Sequence, residues 1–372
     1  MNSMNFTIEE MDRLMLMKKV QTKELTQLEA SKELGISERQ VRRILVKIRR
    51  SGYMGIKKLP AGGRPSLNPN LVEKLKSALV QECYKGFGPT FMSEKLEERH
   101  GLKINRESLR KLMIELDIWK GRTRRKVRVF QRREPRRRMG ELIQIDGFHH
   151  KWFEDRAPKC CLIVFVDDAT SKIVSARFEQ SESTLGYFRC IYDHITKYGR
   201  PESYYSDKHV IFKSPKKVDN KVEDTQVGRA LSNLGIELIC AHSSQAKGRV
   251  ERANATLQDR LIKEMRLRGI STMDDANKYL PTFIQEYNRK FGKSPADPVD
   301  AHKTLNTDLR NLNYILSVHS SRTLSKNLEF SMDKRIYQIQ SPGGGYRYRK
   351  AKVQIYEHMD ASMSIMALSK NS

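Results

Sequence analysis

The sequence predicts an α/β protein, in which a mixed β-sheet core follows all-α modules and precedes a small β module. Three observations support this. The first 120 residues have the apolar spacing of helices, interrupted at glycine turns. Residues 139–300 show strand and helix patterns in the order β-β-β-α-β-α-β-α, and short alternating strands with a Gly-rich turn follow residue 315. A chain of 372 residues is long enough for two to four modules.

The chain carries a large excess of positive charge. Its 70 Lys and Arg residues outnumber 44 Asp and Glu residues, giving a formal net charge of +26. This surplus favours a polyanionic partner, with double-stranded nucleic acid as the first candidate. Ribosomal and chromatin proteins share the property, so the charge alone names no function.

The sequence also argues against several other classes. No apolar run approaches the roughly 18 to 20 residues of a membrane span, and no basic segment followed by an apolar core marks a secretory signal. The five cysteines form no CxxC pair, which argues against a zinc knuckle and for reduced thiols. We therefore expect a cytoplasmic protein without a membrane partner.

The first module, residues 1–56, is predicted to contain a helix-turn-helix. In ASKELGISERQVRRILVKIRRSG, Gly35 permits a tight turn, and Ser37 with Gln40 fits a capping box at the next helix. That helix turns polar side chains outward, as in helices that read a DNA major groove. Its candidate DNA contacts are Arg39, Gln40, Arg42, Arg43 and Lys47. Helical hairpins with basic faces also occur in proteins that never bind DNA.

A second helical module and a basic linker come next. The Gly/Pro stretch KKLPAGGRPSLNP marks a boundary, and residues 66–120 resemble another helix-turn-helix with fewer outward cations. Residues 121–138 carry ten Lys or Arg residues and one acid, so this segment should stay extended until phosphates neutralise it. The alternative is a solvated linker. Its candidate DNA contacts are Arg124, Arg125, Lys126, Arg136, Arg137 and Arg138.

Three acids lie where predicted strands end or a predicted helix begins in the core. Asp146 ends the first predicted strand, Asp207 follows the fourth, and Glu251 begins the helix after the fifth. If the first and fourth strands are neighbours, the two aspartates lie close together and the helix brings Glu251 to their side. Clustered carboxylates repel one another unless a divalent cation neutralises them, and hard oxygen ligands suit Mg²⁺ or Mn²⁺.

At these residues the chain resembles the transposases and retroviral integrases that carry a DDE triad on a ribonuclease-H-like fold. The matching stretches are QIDGFHHKWF, VFVDDATSKIV, YSDKH and AKGRVERANATLQ, and NRKFGKSPADP is similar to the helix exit of bacterial insertion-sequence transposases. The resemblance implies a ribonuclease-H-like integrase core at residues 139–300 and a small β-barrel-like module at 315–372. It also implies that Asp146, Asp207 and Glu251 are both the catalytic residues and the metal ligands.

The resemblance further implies a function. The expected protein is a DNA transposase that binds terminal inverted repeats, cleaves DNA at the element ends and joins the 3′-hydroxyls to target DNA. Two Mg²⁺ or Mn²⁺ ions per site would serve this phosphoryl transfer. Paired DNA ends imply a homodimer or a higher multimer, which associates with the bacterial nucleoid when bound. The alternatives are a sequence-specific DNA-binding regulator with an inactive core and a metal nuclease for structured nucleic acid.

The assignment of Glu251 leaves two questions open. Its cationic neighbours Lys247, Arg249 and Arg252 suit DNA phosphates, but the same charges could form an intrahelical salt bridge on a solvated face. Its separation from Asp207, 44 positions, is longer than the commonest family spacing. The polar stretch 212–225 is a plausible insertion that explains the excess. Glu237 and Glu223 are the alternative third acids.

Overall fold

The computed structural model describes residues 7–57, 68–121, 134–207, 209–212, 217–218, 221–222, 225–240, 248–305, 307–340 and 345–367. The chain divides into two compact units, residues 1–78 and 79–372. No helix in these ranges is long and apolar enough to cross a membrane. The domain limits predicted from the sequence remain predictions.

The helices begin and end at the following residues: Ile8–Gln21 (α1), Gln27–Leu34 (α2), Glu38–Ser51 (α3), Pro69–Leu79 (α4), Pro89–His100 (α5), Arg106–Glu115 (α6), Thr184–Tyr198 (α7), Gln226–Asn233 (α8), Gly248–Leu267 (α9), Met273–Phe291 (α10) and Leu309–Ile315 (α11).

The first unit is built around α1, α2 and α3. Gly35 ends α2 with a φ of 62°, a left-handed conformation that glycine adopts without a steric penalty. The side-chain oxygen of Gln40 then accepts from the Ser37 backbone N–H at 3.1 Å, which begins α3 as the sequence predicts. Met17, Val41 and Leu45 are buried in the shared core. The unit therefore contains the expected helix-turn-helix.

The strands begin and end at the following residues: Ile143–His150 (β1), Cys160–Asp167 (β2), Ile173–Glu179 (β3), Ser203–Ser206 (β4), Lys217–Val218 (β5), Lys221–Val222 (β6), Glu237–Cys240 (β7), Val318–Thr323 (β8), Glu329–Met332 (β9), Arg335–Gln338 (β10), Lys352–Glu357 (β11) and Met363–Ala367 (β12).

A five-stranded mixed sheet forms the centre of the second unit, in the order β3-β2-β1-β4-β7. β1, β2 and β3 are antiparallel neighbours, whereas β4 pairs parallel to β1 and β7 parallel to β4. This mixed α/β arrangement is the ribonuclease-H-like fold predicted from the sequence. The predicted insertion contains one further pair of strands, β5 and β6, which are two residues long and antiparallel to each other.

The sheet is covered by helices on both faces. Alternate side chains of β1 and β2, including Ile145 and Phe165, pack with α7 and α8 around Ile191 and Leu231. On the other face, β2 contributes Val164 to a cluster with α9 and α10. The residues Val250, Ala253, Leu257 and Leu261 are all buried in that second cluster. The predicted apolar stripe of the helix carrying Glu251 is thus confirmed.

The helix α5 is joined to α9 by charged side chains. Lys95 lies with its Nζ 2.5 Å from an oxygen of Glu264, and both side chains are almost fully buried. The guanidinium of Arg260 donates to both carboxylate oxygens of Glu94, at 2.7 and 3.0 Å. These contacts place α5 against the same helix that carries Glu251 at its other end.

The C-terminal strands form a three-stranded sheet, in the order β12-β11-β8, and the separate β9–β10 hairpin. Side chains of α7 and α8 form hydrogen bonds with backbone groups of this C-terminal region. Arg189 donates to the Met359 carbonyl at 2.6 Å, and Gln226 exchanges two hydrogen bonds of 2.9 Å with the backbone of His319. The β module is therefore attached to the α7–α8 face of the core.

A series of hydrogen-bonded polar groups runs from Tyr204 of β4 to the surface at Asp300. His194 is fully buried, with Nδ1 2.7 Å from the Tyr204 hydroxyl and Nε2 3.1 Å from Nε2 of His302. His302 in turn has Nδ1 2.6 Å from Asp300. All of these hydrogen bonds can form when the Tyr204 hydroxyl donates to a neutral His194, which donates to His302. Burial, with a smaller contribution from His302, lowers the pKa of His194 to about 3.

This buried histidine should make the folded protein sensitive to acid. The pKa of His194 lies below its ordinary value of 6.5, so the unfolded chain binds a proton that the folded chain excludes. The contribution of His194 to the free energy of unfolding is fully present above pH 6.5. It falls by up to about 1.4 kcal/mol per pH unit as the pH drops toward 3. Urea denaturation between pH 7 and 5 measures the slope. His194→Gln should reduce it, whereas His149→Gln at an exposed position should not.

Candidate active site

Asp146 lies on β1, and Asp207 immediately follows β4, the strand that pairs parallel to β1. The parallel pairing of β1 with β4 ends with Gln144 opposite Tyr205, and each aspartate lies two residues beyond that last pair. Neighbouring strands lie about 4.8 Å apart, and residues separated by two point to the same face. The prediction that Asp146 ends its strand is wrong, because β1 continues to His150 in its antiparallel pairing with β2.

Gln144 fixes the start of α9 against β1. Its side-chain oxygen accepts from the backbone N–H groups of Arg249 and Val250, both at 3.2 Å. Its amide nitrogen donates to Asp168 at 2.7 Å. Because Gln144 is buried and uses both ends of its side chain, the first turn of α9 has one defined position along β1.

Asn254 provides a second contact between α9 and β1. Its Nδ2 donates to Asp146 Oδ2 at 3.2 Å. From Val250 to Asn254 the helix advances about 6 Å, close to the advance from Gln144 to Asp146 along the strand. The two elements therefore run in the same direction, with Glu251 between the two contact points.

Glu251 lies in the first turn of α9 and is exposed. It precedes Asn254 by three positions, so the two side chains lie on the same side of the helix. Within the described residues Glu251 makes no ion pair. Arg252 donates to its own helix, to the Gly248 carbonyl at 2.6 Å, and Arg249 donates to the Ser171 hydroxyl at 3.0 Å. The intrahelical salt bridge is thus absent from this part of the chain, while Lys247 lies outside it.

Asp207 lies in a turn immediately after β4. Its Oδ1 accepts from the His209 backbone N–H at 3.1 Å, and the Phe212 N–H donates to the His209 carbonyl at 2.9 Å. This local pairing is typical of an aspartate that ends a strand. The position of Asp207 therefore depends both on β4 and on the hydrogen bonds that involve His209 and Phe212.

Asp167 and Asp168, the aspartates of the matching stretch VFVDDATSKIV, have structural partners. Asp167 Oδ1 accepts from the Thr170 backbone N–H and hydroxyl, at 2.7 and 2.6 Å, and its Oδ2 accepts from Gly140. Asp168 accepts from Gln144 and from the Arg136 N–H. Burial raises the pKa of Asp167, while its hydrogen bonds oppose that change.

The donor chemistry at this edge of the sheet suits a hard divalent cation. Asp146, Asp207 and Glu251 offer carboxylates, and Asn254 Oδ1 is buried without a hydrogen-bond partner in the described ranges. These groups are not drawn together in the structure: no three His, Cys, Asp or Glu side chains among the described residues are close enough to hold one ion. Glu237, the alternative acid, is exposed at the start of β7, and Glu223 lies outside the described residues.

The predicted DNA contacts of the first unit share one concave surface. A cavity of about 830 Å³ is lined by residues that include Arg39, Gln40, Arg42, Arg43 and Lys47. Two of these also have partners within the protein. Gln40 caps its own helix, and Arg42 forms an exposed ion pair with Glu38 at 3.3 Å.

The predicted basic linker is described only at its end. Arg136 and Arg137 are exposed, whereas Arg138 is half-buried and forms an ion pair with Glu141 at 2.7 Å. The backbone of this segment is tied to the core by the Arg136 N–H, which donates to Asp168 at 2.8 Å. The contacts predicted at Arg124, Arg125 and Lys126 lie outside the described residues.

Three residues near the site were not predicted: Gln144, Asn254 and Glu182, the last of which lies beside β1 at Gly147. Gln144 and Asn254 did carry a signal, since each is a polar residue at a buried position of an otherwise apolar pattern. Glu182 carried none, because it lies in a polar loop before α7.

Comparison with known proteins gives two relatives. The chain is 44% identical over 329 residues to a Sinorhizobium fredii (strain NBRC 101917 / NGR234) protein named as transposase y4bF, over 88% of this chain and 72% of the relative. It is 28% identical over 400 aligned residues to the transposase for insertion sequence IS1202 of Streptococcus pneumoniae, over 97% of this chain and 85% of the relative. No protein-family model matches.

Solved structures similar to the chain include retroviral integrases. The HTLV-2 integrase catalytic core in complex with magnesium matches in a dimeric form, with 18% identity, a TM-score of 0.32, and coverage of 45% of this chain and 98% of that one. Its trimeric form matches with 20% identity, a TM-score of 0.29, and coverage of 38% and 82%. A simian T-cell lymphotropic virus intasome in complex with a PP2A regulatory subunit matches with 15% identity, a TM-score of 0.34, and coverage of 76% and 96%.

Proposed function

The chain belongs to the family of transposases that includes the Sinorhizobium fredii relative, and from this premise we propose that it binds the terminal inverted repeats of a mobile element. It then cleaves DNA at the element ends and joins the 3′-hydroxyls to target DNA. The observation that supports the proposal is that Asp146 and Asp207 each lie two residues beyond the last pair of the β1–β4 pairing, beside a helix that contacts Asp146 and presents Glu251. A binding protein has no use for three carboxylates beside DNA phosphates.

The proposed roles follow from the chemistry of the side chains. Asp146, Asp207 and Glu251 would hold Mg²⁺ or Mn²⁺, with two ions in a complete site. When bound, the metal activates the attacking oxygen and stabilises the leaving oxygen of a phosphodiester. Gln144 and Asn254 keep α9 in place along β1, so the three carboxylates can converge when the cation neutralises their repulsion.

DNA binding is assigned to the basic surfaces. The side chains Arg39, Arg43 and Lys47 of α3 are exposed along one face and suit recognition of a DNA end in the major groove. Arg249 and Arg252 flank Glu251, where they can hold phosphates near the reacting bond. Acting on paired ends requires at least two copies of the chain, working on DNA in the bacterial cytoplasm.

A cleavage and joining assay tests the proposal. The full-length protein is incubated with labelled duplexes that carry the inverted repeats flanking its gene, with Mg²⁺ or Mn²⁺. We expect new 3′-hydroxyl ends and, with target DNA present, joined products. Sequence-specific binding without any cleaved or joined product in either metal would favour the regulator with an inactive core instead.

The end of the basic linker should contact DNA phosphates. Replacing both Arg136 and Arg137 by alanine should weaken binding to specific and non-specific duplexes alike. Each lost phosphate contact lowers the slope of log affinity against log salt by about 0.9, so the double variant should lose roughly 2. Arg138→Ala is the matched control, because its guanidinium already pairs with Glu141. Equal slopes for the double variant and the wild type would exclude these two arginines from the interface.

A further inference from the structure

Glu182 occupies the space beside β1 next to Asp146. A β-carbon built on Gly147 would lie 2.7 Å from Cδ of Glu182 and 3.0 Å from its Oε1. No side chain larger than hydrogen fits there without displacing the carboxylate. Because successive residues of a strand point to opposite faces, Glu182 lies across β1 from the Asp146 side chain.

The same carboxylate contacts elements that hold the turn after Asp207. Its Oε1 accepts from the Tyr187 hydroxyl at 2.6 Å and lies 4.0 Å from His209 Nδ1. The Tyr187 ring packs edge-on against Phe212, with 4.7 Å between centroids. Phe212 ends the turn and is buried, so Tyr187 joins Glu182 to the far end of the turn that begins at Asp207.

The electrostatic effects of Glu182 and Asp146 overlap at two buried groups. Burial raises the pKa of the Tyr187 hydroxyl well above its ordinary value, and the Glu182 and Asp146 charges add to the change. Burial raises the pKa of the Cys161 thiol to about 12, and the same two carboxylates contribute. The two acids thus lie on either side of one small region of the sheet.

We propose that Glu182 is a positioning residue that fixes β1 at Asp146 relative to the turn at Asp207. It does so through its contact with Gly147 on one side and with Tyr187 and His209 on the other. It is not a ligand, because it lies on the opposite face of β1. This inference rests on the proposed function, since it assumes that Asp146 and Asp207 bind a common metal ion.

The response of the full-length protein to Mn²⁺ tests this role without relying on activity. An ion that binds only the folded protein raises its melting temperature, and the Mn²⁺ concentration at half of the maximal shift reports the affinity. Loss of a group that orients metal ligands costs roughly 10- to 100-fold in affinity, so Glu182→Ala should need at least about tenfold more Mn²⁺. Glu182→Gln keeps the shape and the acceptor for Tyr187 and should restore most of the response.

Two further variants separate positioning from folding. Gly147→Ala displaces Glu182 while every carboxylate remains, so it should weaken the Mn²⁺ response as Glu182→Ala does. Adding Glu182→Ala to Gly147→Ala removes the clash and should recover part of the lost melting temperature. Glu179→Gln, an acid in the preceding strand that pairs with Arg189 at 3.0 Å, serves as the control with an unchanged Mn²⁺ response.

The outcomes distinguish this inference from the function on which it rests. A wild-type protein that Mn²⁺ does not stabilise would overturn the proposed metal site. A wild-type response that is retained in full by both Glu182→Ala and Gly147→Ala overturns the positioning role and leaves the metal site standing. If Glu182→Ala does not fold, Gly147→Ala alone decides between these results.

Discussion

Replacing Glu251 by glutamine is expected to reduce DNA cleavage and joining by roughly 10³-fold or more, the scale of loss when one member of a catalytic unit is removed. Glutamine keeps the size of the side chain but removes the charge that would hold the metal. The fold should survive, because Glu251 is exposed and the buried stripe beginning at Val250 is untouched. Binding to DNA ends should persist or strengthen, since a negative charge near phosphate disappears.

The measurement is a metal-dependent assay on a labelled DNA end, with binding measured in parallel. Asp146→Asn and Asp207→Asn should show the same loss, and combining two of the changes should add little, because the three act as one unit. Glu237→Gln is the matched control at an exposed acid of β7. Substantial cleavage by Glu251→Gln would remove it from the proposed triad, and the third acid would then be sought at Glu237 or Glu223.

Replacing Lys95 by methionine is expected to lower the free energy of unfolding by about 3 kcal/mol, the lower end of the cost of breaking a buried ion pair. The substitution leaves the buried carboxylate of Glu264 without its partner on α5. The loss should not be larger, because Arg268, which immediately follows α9, still pairs with Glu264.

The double variant Lys95→Met, Glu264→Met provides the sharper test. Replacing both partners of a buried pair by apolar side chains is often neutral, so most of the lost stability should return. Lys103→Met is the control, because its ion pair with Glu97 is exposed at 3.7 Å and should contribute well under about 1 kcal/mol. Urea denaturation measures all three variants. A double variant less stable than the single one would show that Lys95 does more than neutralise Glu264.

Local patterns in the sequence are enough to predict the elements of this fold. The buried strand at Cys160–Asp167 appears as an unbroken apolar run, and Ser37 with Gln40 identifies the start of α3. Both features depend on neighbours along the chain. The position of Asp146 within β1 could not be predicted, because the strand continues for as long as β2 pairs with it, and that pairing lies outside the local pattern.

By itself, therefore, the sequence determined the α/β class, the order of strands and helices, and the three acids to consider, because periodicity, caps and residue chemistry act over a few positions. Only the tertiary structure decided that Gln144 and Asn254 align α9 with β1, that Glu251 has no ion pair within the described residues, and that Glu182 lies beside Gly147. These contacts join residues from about 35 to more than 100 positions apart. They depend on which surfaces meet when the sheet and its helices pack, which local sequence patterns do not encode.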